Sequence, residues 1–205
     1  GFLVFNSGTG ALSIGDQKTS IYNSDLKIVD NSTALFKAFT NQASNVGGNF
    51  SLEKPNGGEV AMGKIGQSCL ISQTINIDVQ NSPGNRKAFN LIGFENLVGG
   101  GTISAVNVTD NCDIMNNNLK INLLAFNDYL EPSNTKAYTI QNNQIIGNVV
   151  IDAISGNLGN QNISSNTFDG VVTIQTDGGN VYEAQSGANI YKGNVFFNNV
   201  NPSFT

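Results

Sequence analysis

Any chemistry in this 205-residue chain would rest on carboxylates, because the sequence has no His and one Arg, Arg86. Without His the usual zinc sites lack their ligands. The acids that could matter lie in the C-terminal half: Asp152, Asp169, Asp177 and Glu183. Two carboxyl groups held ~5–9.5 Å apart can cleave a glycosidic bond, one as acid and the other as base or nucleophile. The competing expectation is that these four are solvated surface acids. Asp177-Gly178-Gly179-Asn180 fits a calcium turn, but the same residues also spell an ordinary tight turn. No metal or other cofactor is implied.

Composition says what scaffold could position such groups. Charged residues are 12% of the chain, against roughly 25% in ordinary domains. In their place stand 33 Asn and 23 Gly, alongside 39% apolar residues. Asn and Gly accept left-handed turns, and aliphatics favour strands, so an ordered, turn-rich β-protein satisfies both facts. The net charge of −5 argues against nucleic acid, whose binders need clustered Lys and Arg. No apolar run approaches the ~20 residues that span a bilayer. Cys69 and Cys112 alternate with Ile71 and Ile114 and read as buried thiols.

The second half repeats itself. The pattern apolar-x-x-Asn-x-apolar occurs at Ile114 to Leu119, Ile140 to Ile145, Ile163 to Phe168 and Tyr191 to Phe196. The starts are 26, 23 and 28 residues apart. A second apolar segment follows each, at Leu123, Val149, Val172 and near Val200. A period in the twenties means a solenoid, and the Leu-x-x-Leu-x-Leu signature of leucine-rich repeats is absent. The expected fold is all-β: a single-stranded right-handed parallel β-helix, each coil about 4.8 Å above the last.

In that register Asn117, Asn143, Asn166 and Asn194 occupy equivalent turns and form a ladder of amide hydrogen bonds. Asp152 and Gln175 share an outward offset, with Asp169 and Asp177 flanking the next coil and Glu183 beyond. Val150 and Leu124 also face outward, with Phe126 two residues past Leu124. An outward apolar column marks an interface, and a closed symmetric oligomer would bury it. The alternative is that loop 127–137 folds over it.

One helix is expected near residues 33–45. Asp30-Asn31-Ser32-Thr33 offers N-cap side chains, Leu35, Phe39 and Val46 recur at near-helical spacing, and Gly47-Gly48 ends the run. Its expected role is a cap over the N-terminal opening of the coil stack. Residues 1–29 then form an N-terminal strand and turn segment, and 30–205 the capped β-helix domain.

Four motifs in order strengthen this reading: Asp30 to Leu35, Asn56-Gly57-Gly58-Glu59-Val60, Ile71 to Ile77, and Leu91-Ile92-Gly93. Together with the Asn repeats, they make the chain from about residue 30 to 200 resemble the pectate-lyase-like β-helix superfamily, which includes phage tailspikes. The resemblance implies fold more than activity, since one fold hosts many functions. The calcium-and-Arg lyase centre and the His-containing polygalacturonase centre of that family have no counterpart here. What the resemblance implies is a tail-fibre or tailspike-like receptor-binding protein recognising a host surface polysaccharide. It would be a homotrimer with parallel solenoids, sit in the virion tail or outside the cell, and assemble with other tail proteins. A secreted polysaccharide-degrading enzyme and a bacterial adhesin are the alternatives.

Overall fold

The computed structural model describes residues 1–80, 88–106, 112–127, 138–153, 161–176, 181–184 and 186–199. It is a parallel β-helix. The chain visits three sheets in rotation, and every strand pairs in parallel with the equivalent strand one coil away. The nine-stranded first sheet begins with Phe2–Asn6, Leu26–Asp30 and Phe50–Lys54. It continues through Ile75–Gln80, Gly101–Val106, Asn122–Asn127, Val149–Ala153 and Val172–Thr176, and ends on Val195–Asn199. The second sheet runs from Leu12–Ile14 to Val181–Glu183 and the third from Ile21–Tyr22 to Ile190–Tyr191, eight strands each.

Strict alternation builds the core. In Ile75–Gln80 every odd residue is buried and every even one exposed, as a strand with one buried face requires. Ile114, Leu119, Ile140, Ile145, Val149, Ile163, Phe168 and Val172 are all buried, as the repeat implied. Aromatic rings fill the N-terminal half of the interior: Phe39 lies within 6.3 Å of Tyr22, Phe50 and Phe94, centroid to centroid. Cys69 is a free, buried thiol whose ionisation burial opposes.

No helix occupies residues 33–45. The strands Phe36–Ala38 and Ser44–Val46 stand there instead, in the second and third sheets. Two period-two pairs separated by a turn, Phe36 with Ala38 and Ser44 with Val46, imitate helical spacing. The capping chemistry is real but serves a turn: the Ser32 amide and hydroxyl both donate to the Asp30 carboxylate, at 3.0 and 2.7 Å. Phe39 therefore covers no opening; it is buried inside the second coil. The chain before Asp30 is built into the same sheets, with Phe2–Asn6 paired to Leu26–Asp30.

One corner recurs in each coil. At the end of every second-sheet strand a residue takes a left-handed conformation: Gly15, Phe39, Gly63 and Gly93, then Asn116, Asn142, Ser165 and Ala184, with φ between 56° and 75°. That single residue swings the chain into the third sheet. At Gly63 a side chain is excluded, since a Cβ would stand 1.8 Å from the Ile92 carbonyl oxygen. Phe39 adopts this conformation despite its bulk, a cost of about 1–3 kcal/mol set against the ring's burial.

Candidate functional site

The asparagine ladder follows that left-handed corner. Asn143 Oδ1 accepts from the backbone amide and from Nδ2 of Asn117, both at 3.0 Å. Asn166 does the same for Asn143, at 3.0 and 2.9 Å. Each Nδ2 also donates to a carbonyl one coil back: Asn117 to Leu91, Asn143 to Ile114, Asn166 to Ile140. Asn117, Asn143 and Asn166 are buried, so the ladder satisfies turn groups that water does not reach. The next rung is Asn189, whose Oδ1 accepts from Asn166 at 2.9 and 3.0 Å. Asn194 is exposed at the start of the next first-sheet strand, where its carbonyl accepts from Val172. The shift arises because Ile190–Tyr191 pairs with Thr167–Phe168. The same slip leaves Phe196, expected in the core, 55% exposed opposite Thr173.

Of the four C-terminal acids, Asp152, Asp169 and Glu183 lie in or beside three different sheets. Asp152 lies in the first sheet in register with Gln175. Asp169 is exposed after the third-sheet strand Thr167–Phe168 and pairs with Lys192 at 3.2 Å. Glu183 ends a second-sheet strand opposite Ile163. Asp177 and its Gly-Gly-Asn turn lie outside the described residues, as do Arg86, Val200 and most of loop 127–137.

Of the expected interface residues, Val150 is half-buried in the row of Thr173, and Leu124 registers with Ser104. Phe126 does not continue that row. A bulge between Ser104 and Ala105 sets Phe126 opposite Ala105, in the row that also holds Val79.

A polar concavity lies elsewhere, on the outward face of the first sheet. There a cavity of about 500 Å³ spans three successive strands. Two outward rows line it. One carries Ser51, Asn76 and Thr102, and the other Glu53, Asp78 and Ser104. Glu53 and Asp78 face each other across adjacent strands, about 4.8 Å apart along the stack. Like charges in that position repel, and each has a local partner. Lys27 pairs with Glu53, and the Gln80 amide donates to Asp78 at 3.1 Å. Asn76 Oδ1 accepts from the Thr102 backbone amide at 3.2 Å, which fixes the direction of its side chain.

Such a surface offers hydroxyls, amides and carboxylates in rows that repeat at the strand spacing. That suits a ligand rich in hydroxyl groups. A second concavity, of about 410 Å³, lies beside Ile65, Gln67, Glu95 and Asn118. Among the described residues no three acids or cysteines gather as a metal site would need. No protein-family model, curated protein or solved structure matches the chain.

Proposed function

We propose that this chain is a tailspike- or tail-fibre-like β-helix that receives a host surface polysaccharide on the outward face of its first sheet. The observation that carries the reading is the cavity over Ser51, Asn76, Asp78 and Thr102, whose donors and acceptors recur from coil to coil. A glycan chain lying along the stack would meet the same chemistry at each step. Affinity electrophoresis through gels containing host surface polysaccharide tests it. The double variant Asn76→Ala, Thr102→Ala should lose retardation while keeping its melting temperature within a few degrees. Undiminished retardation would place binding elsewhere.

The tailspike-like reading includes three copies side by side, attached to other tail proteins. Light scattering on the purified chain tests the trimer, and a monomer at micromolar concentration would remove it.

The paired carboxylates favour a second reading, a polysaccharide depolymerase. Glu53 and Asp78 stand on adjacent strands about 4.8 Å apart, a backbone spacing that lets two carboxyl groups reach the ~5–5.5 Å separation of retaining glycosidases. In that reading Glu53, paired with Lys27, is the nucleophile and Asp78 the acid. Reducing ends released over time would reveal it, and Asp78→Asn should stop release without abolishing binding.

A further inference from the structure

We infer that the polysaccharide taken by the first-sheet groove carries no acidic sugars. The inference rests on the glycan-binding reading above and narrows its ligand class. None of the described residues lining the cavity is Lys or Arg, while Glu53 and Asp78 are both among them. Lys27, on the neighbouring strand, already has its ammonium on Glu53. A uronate-bearing chain would bring a carboxylate into this row and meet two others. Recognition of carboxylates calls for Arg forks or free ammonium groups, and the described residues of the groove supply neither. The whole chain adds to the effect, because its net charge of −5 repels a polyanion before contact.

The groove suits uncharged or amino-bearing sugars on the same grounds. A sugar hydroxyl donates well to an ionised carboxylate, and such charge-assisted bonds are roughly twice as strong as neutral ones. Gln80 Nε2 donates to both Asp78 oxygens, at 3.3 and 3.1 Å, and Asp78 stays exposed, so its remaining lone pairs can accept more. Ser51, Thr102 and Ser104 supply hydroxyls that donate or accept. Two carboxylates flanked by hydroxyls thus favour hydroxyl-rich ligands and disfavour acids.

The test uses the full chain on an array of purified bacterial surface polysaccharides graded by uronic acid content. Each acidic polymer is printed beside its carboxyl-reduced form, in which every acid has become an alcohol. The reduced form should be held about tenfold more tightly than its acidic parent at low salt, and the gap should shrink as salt rises. Asp78→Asn should narrow the gap, mainly by improving binding of the acidic form. An acidic polymer held more tightly than its reduced form overturns the inference and leaves the glycan reading standing. Retention of no polysaccharide overturns both.

Discussion

Asp30 and Lys54 form an ion pair 2.8 Å long in which neither side chain is exposed. They occupy one row of the first sheet, two coils in a column that starts at Asn6 and becomes apolar at Val79. The pair is closed on all sides. Asn6 Nδ2 donates to Asp30 at 2.9 Å, and Lys54 Nζ also reaches the Ser32 carbonyl at 2.7 Å. Gly58 lies against the lysine stem, where a Cβ would stand 2.9 Å from Cε. The Asn56-Gly57-Gly58 turn thus seals the charge from water.

Removing one partner should be far worse than removing both. Lys54→Met leaves the Asp30 carboxylate buried without its countercharge, at a cost of about 3–5 kcal/mol. Combining Lys54→Met with Asp30→Leu should recover most of that loss, because the next coil already accepts Val79 in this row. Thermal melts of the two variants and the parent check it. A double variant as unstable as the single would mean that the hydrogen bonds to Asn6 and Ser32 matter more than the charges.

Asp16 gives the N-terminal coils an acid dependence. Partial burial pushes its carboxyl up, but hydrogen bonds from the Thr40 hydroxyl and amide and from Ser13, with Lys37 nearby, outweigh this and hold it below its ordinary value. The charged form is therefore bound more tightly in the folded state. Its contribution is present above the unfolded-state value of about 3.9 and lost as pH falls through the lower folded value. Melting temperature should drop on acidification below about pH 4, and the drop should be smaller in Asp16→Asn. An identical acid profile in the variant would assign the dependence to other carboxylates.

The two halves of the chain were not equally legible. Where Asn recurs with apolar flanks, as at Asn143 and Asn166, sequence spacing alone gives the coil register. Beyond Ala184 the flanking pattern breaks, and Asn194 imitates the rung that Asn189 supplies. In the N-terminal half the ladder is absent, and residues 33–45 carry spacing that two architectures share. Phe39 turned inward by a left-handed backbone cannot be read from letters, since Gly or Asn is the residue expected there. The sequence does not bring Glu53 and Asp78 together for the same reason: no ladder Asn marks the register of their coils. A signal existed in Phe50-Ser-Leu-Glu, Ile75-Asn-Ile-Asp and Gly101-Thr-Ile-Ser, three alternating runs 25 and 26 residues apart. Aligned, they place both acids in one outward row.

Phe168 tests the core. Its ring is fully buried and stacks on Tyr191 with centroids 5.4 Å apart. Phe168→Ala should cost about 3–5 kcal/mol, whereas Phe196→Ala, at an exposed site, should change stability by about 0.5 kcal/mol or less. Equal losses would mean that Phe196 is buried in solution.

The ladder makes the sharpest contrast. Asn143→Ala removes four hydrogen bonds at once. It strands the buried Asn117 amide, takes one of two acceptors from Asn117 Nδ2 and one of two donors from Asn166 Oδ1, and removes a donor from the Ile114 carbonyl. A buried unsatisfied group costs about 1–3 kcal/mol, so the variant should lose roughly 3 kcal/mol or more, even allowing for relaxation. Asn189→Ala should lose less, because this rung is only half-buried. Asn194→Ala should lose almost nothing, since that side chain is exposed. Denaturant melts of the three variants should therefore rank Asn143, then Asn189, then Asn194 from most to least destabilised. If Asn194→Ala proved as damaging as Asn143→Ala, the last coil would be in the other register, with Tyr191 shifted off Phe168.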